Sequence, residues 1–160
     1  MESVAAVKDA PAGSRFNELE TRNHRAAIRR VLPSDDGAGA REAGADDYVL
    51  EVMEKRAGPL SVRDAKTGLG MLEDLARRRG ERSFCELSAA EQDEVLRQLQ
   101  LIPHPTVQRF FKRLVALTLE GFLCDPQRGG NRDQVGWSSL GIEGARVPGA
   151  CVGEDPCPHE

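Results

Sequence analysis

Apolar positions along this chain recur every three to four residues in five stretches, and nowhere do they alternate at every second position with β-branched enrichment. Phe16, Leu19, Ala27, Ile28 and Val31 predict a helix from Phe16 to Leu32, capped by Asn17 or Ser14 and stopped by Pro33. Residues 33–41 are dense in turn formers and read as a loop. A second helix is predicted over 41–57, with Ala45, Val49, Leu50 and Met53 inward, and Gly58-Pro59 breaks it. A third begins near Ser61, its apolar face carried by Leu69, Leu72, Leu75 and Ala76. Arg77, Arg78 and Arg79 load its last turn, where the helix dipole favours positive charge, and Gly80 supplies the stop. Ser88 and Glu91 form a capping box that opens a fourth helix to about Leu101, burying Val95, Leu96 and Leu99. Pro103 and Pro105 bracket His104 and set off a fifth helix, Thr106 to Phe122. Its apolar positions, Val107, Phe110, Phe111, Leu114, Val115, Leu117 and Leu123, cover more than one stripe, which marks the central, most buried helix.

The expected fold class is all-α: a single domain of about five helices over residues 15–123. A flexible lead-in, 1–14, precedes it. After Leu123 the periodicity disappears. Residues 124–148 form a long Gly-rich segment expected to be irregular, and 149–160 a tail. The segment holds the only tryptophan. Irregular stretches of this length are functional or disordered, and the Asp-Pro, Gly-Gly-Asn-Arg and Gly-Trp pieces favour function.

Composition removes several function classes. At 160 residues the chain suffices for one cored domain. A formal net charge of -4 and 4% aromatics disfavour a general nucleic-acid or membrane-surface binder. The single Arg128-Gly129-Gly130-Asn131-Arg132 run, flanked by Asp125 and Asp133, does not make an RNA-binding repeat. No apolar run approaches the ~20 residues that cross a bilayer, so direct membrane insertion is not expected. Residues 1–15 carry Glu2 and Asp9 and no apolar core of a signal peptide, which points to a cytoplasmic chain unless a partner or a removed signal takes it to the periplasm. Of 22 basic residues only four are lysine (8, 55, 66 and 112), a skew that suits planar, bidentate pairing with carboxylates.

Self-sufficient chemistry is hard to find. Lys66-Thr67-Gly68-Leu69-Gly70 has the wrong order for a phosphate loop and lies within a helix. His24, in an arginine-rich helix, reads as a surface or partly buried residue, and nothing nearby orients His104. Asp35/Asp36 and Asp46/Asp47 precede or open the second helix and favour its positive end rather than sharing a proton. Cys85 and Cys124 read as small core residues. Cys151, Cys157 and His159, with Cys124 as a fourth ligand, offer a metal site of unusual spacing, and Cys151 alone could crosslink to another chain. That metal site belongs to an alternative reading, an independent helical binding module. No catalytic, cofactor-binding or metal residue is assigned.

Two stretches together carry a resemblance. One is Gly121-Phe122-Leu123-Cys124-Asp125-Pro126-Gln127-Arg128-Gly129-Gly130-Asn131-Arg132-Asp133-Gln134-Val135-Gly136-Trp137; the other runs Ile28 to Gly44 through Pro33-Ser34-Asp35-Asp36 and Arg41-Glu42-Ala43. In this order, roughly ninety residues apart, they resemble the C-terminal signature and N-terminal element of the gluconate 2-dehydrogenase subunit 3 family. The resemblance implies a small, non-catalytic subunit without its own cofactor. It implies as partner a large FAD subunit of the glucose–methanol–choline (GMC) class that oxidises a sugar or sugar acid, often with a membrane-anchored cytochrome c subunit accepting electrons. Such small subunits commonly carry a twin-arginine signal and escort the large one to the periplasm; this sequence shows none. Arg128 stands where the pattern has tyrosine, Ser138 follows Gly136-Trp137 where it has lysine, and Gly141-Ile142-Glu143-Gly144 replaces its closing Gly-Phe/Tyr-Pro-Gly.

On the residues themselves, Asp125, Pro126, Arg128, Gly129, Gly130, Asn131, Arg132, Gly136 and Trp137 are the expected partner-binding set. Glycines allow close backbone approach, Asn131 can hold a turn, Arg132 can fork onto a carboxylate, and Trp137 can anchor an interface. The same segment can instead fold back on its own helices, with Trp137 in a groove and Asp125 as a cap. The two readings are compatible.

Overall fold

In the computed structural model, which describes residues 14–142, six α-helices follow one another and no strand occurs among those residues. Helix α1 spans Glu18–Val31 and opens on a reciprocal cap, in which Asn17 Oδ1 accepts from the Glu20 amide at 2.8 Å and the Glu20 carboxylate accepts from the Asn17 amide at 2.8 Å. Helix α2 spans Ala45–Glu51 and runs on as a π-helical turn, Val52–Arg56, so the helix expected over 41–57 starts later and changes its hydrogen bonding half-way. Helix α3, Pro59–Arg77, begins at the proline that was expected to precede it, because proline's fixed φ suits the first helical position. Arg78 to Gly80 form a turn beyond its end. Helix α4, Ala89–Leu101, starts at the Ser88–Glu91 box as expected, and helix α5 spans Pro105–Leu123. Helix α6, Val135–Ser139, and 3-10 turns at Pro126–Arg128 and Arg132–Gln134 lie in the segment expected to be irregular. Its described part, up to residue 142, forms short turns whose lengths are too small for sequence periodicity to register.

Helix α5 packs against α1, α2, α3 and α4, and Val107, Phe110, Leu114 and Leu117 are buried, as its breadth of apolar positions predicts. Around them lie Ala27 and Ile28 of α1, Leu69, Leu72 and Ala76 of α3, and Val95 and Leu99 of α4. Full burial of each large aliphatic side chain stabilises the fold by about 1.5–3 kcal/mol. Not every apolar position is spent on the core. Leu19, Leu50, Leu75, Val115, Cys85 and Cys124 are only half-buried, and Leu123 is exposed.

Four arginines, Arg25, Arg29, Arg30 and Arg109, join helices of this same chain. Arg30 forks onto Asp93 at 2.7 and 2.8 Å, joining α1 to α4, and Arg109 forks onto Asp64 at 2.7 and 3.1 Å, joining α5 to α3. One buried polar knot stands apart. The amide of Asn23, itself 2% exposed, donates to Glu73 at 2.8 Å and accepts the Cys85 amide at 3.0 Å. Burial alone would raise the Glu73 carboxyl, but the Phe84 amide, Asn23 and Arg77 outweigh it and hold the group below the ordinary carboxylate range.

Candidate functional site

Residues 125–142 form a strap that crosses the C-terminal end of α5. It begins where the α5 backbone ends at Leu123: Asp125 Oδ1 accepts the Gln127 amide at 3.0 Å and caps the first short turn, and Gly129 closes that turn with φ 95°. Asn131 then locks the strap. Its side chain is fully buried, its amide nitrogen donates to the Cys124 carbonyl at 3.0 Å, and its Oδ1 accepts the Gly136 amide at 2.8 Å. Its backbone amide donates to the Gly121 carbonyl at 2.8 Å. Main chain lies directly on main chain here. A Cβ at Gly130 would stand 2.1 Å from the Gly121 carbonyl oxygen, and one at Gly136 would stand 1.9 Å from that of Phe122. Only glycine permits that approach.

The strap is also tied to the loop before α2. The Arg132 amide donates to the Ala43 carbonyl at 2.9 Å, and its guanidinium reaches Asp47 at 2.7 Å. Gly44, with φ 66°, leaves room for that guanidinium; a Cβ there would be 2.5 Å from Arg132 Nε. Burial would raise the Asp47 carboxyl, but Arg25 and Arg132 outweigh it and keep it below the ordinary range. Asp46, 2% exposed, pairs with Arg25 at 3.0 Å and Arg29 at 2.7 Å. The Asp46/Asp47 pair stands in the first turn of α2, as expected, and also makes the charged joint between α1, α2 and the strap. So the two stretches of sequence that look related at a distance touch each other at Ala43, Gly44 and Arg132.

Backbone strain accompanies this design. Asn131, Asp133 and Gln134 take φ of 45°, 52° and 58°, and a left-handed conformation outside glycine costs roughly 1 kcal/mol or more per residue. The Asn131 bonds and the glycine contacts hold them there.

The outward side of the strap is different in character. The Trp137 indole donates to the Leu123 carbonyl at 2.8 Å, which fixes the ring while leaving it half-exposed. The Leu140 and Ile142 amides fold back to the Trp137 carbonyl at 3.0 and 2.9 Å. Leu123, Leu140 and Ile142 remain 38%, 61% and 45% exposed, and Arg128 is exposed and free of any ion pair among the described residues. Of the expected set, Gly130, Asn131 and Gly136 are therefore buried supports, Asp125 and Gly129 shape the first turn, and Arg132 anchors to Asp47. Pro126 is half-buried in the first short turn, and Arg128 and Trp137 face outward.

The sequence model of the gluconate 2-dehydrogenase subunit 3 family matches residues 18–144. The chain belongs to the gluconate 2-dehydrogenase subunit 3 family. No curated protein and no solved structure matches it. In this member of the gluconate 2-dehydrogenase subunit 3 family, both stretches that carry the resemblance are structural partners of one joint, and the matched span takes in all six helices.

The remaining candidate chemistry sits elsewhere. His24 is 2% exposed, not a surface residue, and tilts against the Phe16 and Phe110 rings at 6.0 and 6.1 Å. Its Nδ1 is enclosed without a hydrogen-bond partner among the described residues, and burial lowers the imidazole to about 4, so it is neutral at pH 7. The signal for this was in the helix phase: His24 lies three and four residues before Ala27 and Ile28 and shares their stripe. His104 is exposed and precedes α5 without capping it through its side chain. Cys124 directs its sulfur at the Gly121 carbonyl, 3.8 Å away, and burial raises its thiol. Among the described residues no group of three or more His, Cys, Asp and Glu side chains could hold a metal ion, and Cys151, Cys157 and His159 lie outside those residues. No helix among them is long and apolar enough to cross a membrane.

Proposed function

We propose that this chain is the accessory subunit that binds and stabilises the FAD-containing GMC-type large subunit of a membrane- or cytochrome-linked sugar or sugar-acid dehydrogenase. The flavin and the oxidation of substrate belong to the large subunit. This chain contributes a surface.

The observation that carries the reading is the two-sided strap. Every buried donor and acceptor of Asn131 is used inside the chain, which leaves the loop rigid before any partner arrives. Its other side presents a fixed tryptophan among exposed Leu123, Leu140 and Ile142, with Arg128 at the margin. An aromatic anchor ringed by aliphatic surface and a planar cation is the residue mixture that dominates interface energetics. Holding it in shape beforehand reduces the entropy lost on association.

Co-expression with the FAD large subunit from the same genome tests this. A copurifying complex and a larger yield of soluble, FAD-loaded large subunit are expected. No complex and no gain in flavinated partner would sink the reading.

A further inference from the structure

Beyond the strap, α5 borders an open groove of about 580 Å³ between itself and α3. Its buried floor is mainly apolar, made by Met53, Phe110, Leu114 and Leu117, with the buried His24 imidazole also lining it. Its α5 rim carries Lys112, Arg113 and Ala116, all exposed, and ends at Glu120. Glu120 also borders a second hollow formed with Leu123, Cys124, Asp125 and Arg128, so the groove leads directly to the start of the strap.

The charge on that rim is not balanced from within. Asp64, across the groove on α3, is taken by the Arg109 fork; the Glu120 carboxylate, whose hydrogen-bond partner is the neutral Tyr48 hydroxyl, stands at the end of the groove and pairs with neither cation. No described carboxylate comes within ion-pair distance of Lys112 or Arg113. Two adjacent free cations therefore overlook an apolar trench in a protein whose formal net charge is -4. Against the acidic whole, that local sign selects an acidic occupant. A trench flanked by two long helices suits a third helix, seated by apolar side chains at three-to-four spacing.

We infer that the α3–α5 groove receives an amphipathic helical segment of the large subunit, its apolar face on Phe110, Leu114 and Leu117 and its carboxylates on Lys112 and Arg113. The inference rests on the accessory-subunit reading and extends that interface along α5. Arg109 is already committed to Asp64 and positions the rim rather than meeting the partner.

The test is titration calorimetry of the full chain against the purified, FAD-loaded large subunit, at two salt concentrations. A double charge reversal, Lys112→Glu with Arg113→Glu, is expected to weaken binding about tenfold or more and to flatten its salt dependence. Ala116→Trp, which plugs the groove from an exposed position, should weaken binding at either salt concentration. Circular dichroism of both variants should match the unaltered chain, since neither change touches a buried residue. Unchanged affinity for both variants, with Trp137→Ala still weakening the complex, would confine the partner to the strap and overturn the groove assignment alone. A dimer of the isolated chain that these substitutions dissolve would give the groove to a second copy, also overturning it. Failure of the unaltered chain to bind at all would remove the accessory-subunit reading along with it.

Discussion

At the scale of single residues, two buried polar side chains make opposite predictions. Asn131 satisfies every group it meets, and replacing it by alanine leaves the Gly136 amide and the Cys124 carbonyl without partners. Asn131→Ala should cost about 2–4 kcal/mol, concentrated in the strap. Hydrogen exchange would show faster amides over 125–142 and little change in α1 to α4; uniform loss across all helices would contradict the local role. His24 has the reverse problem. Its folded value, about 4, lies below the 6.5 of a free imidazole, so the unfolded chain takes up the proton first as pH falls. Stability from this group is complete above pH 6.5 and disappears as pH falls towards 4. Between pH 7 and pH 5 the loss should be about 2 kcal/mol, before carboxylates such as Glu73 and Asp47 begin to protonate. His24→Leu should remove that slope, and at pH 7 should leave the urea midpoint unchanged or higher, because an unpartnered Nδ1 is lost with the ring. Equal urea midpoints for the unaltered protein at pH 7 and pH 5 would contradict this account.

At the scale of elements, the strap depends on α5 and on the loop before α2, while the reverse dependence is small. Trp137 is held through its indole and is only half-buried, so Trp137→Ala removes the proposed partner anchor rather than a core side chain. The complex with the large subunit should weaken by about 2 kcal/mol or more, a typical cost for a central aromatic anchor, while far-ultraviolet circular dichroism stays helical. If the variant unfolds, the indole belongs to the core. Helix α3 and helix α5 carry the second element-scale consequence. Their Arg109–Asp64 fork consumes the charge that would otherwise neutralise the groove, so Lys112 and Arg113 remain available to another protein.

At the scale of the whole molecule, the chain is a helical frame with its least regular piece clamped across one end. Arginine forks, a buried Asn23–Glu73 knot and the Asp46/Asp47 joint connect helices far apart in sequence. Each joint reduces the freedom of the frame that presents the strap. Co-expression, pull-down and the groove variants therefore probe one surface at two places, the tryptophan patch and the Lys112–Arg113 rim.

Much of this was legible along the chain. Helical period, the Asn17 and Ser88 caps and the proline punctuation located five helices, because those signals are local and their physics acts within a few residues. The motif residues of 121–137 were legible too, since glycine, asparagine and tryptophan advertise unusual backbone and unusual surface. What they do was not. Whether Asn131 faces a partner or its own Cys124 carbonyl, whether Asp47 serves its helix alone or Arg132 as well, and whether His24 is wet or sealed all depend on which distant elements meet. Short turns such as α6 carry no period, and ion pairs spanning up to 85 residues leave no spacing to read. Tertiary packing alone decides those contacts, because burial and pairing are properties of neighbours in space rather than in sequence.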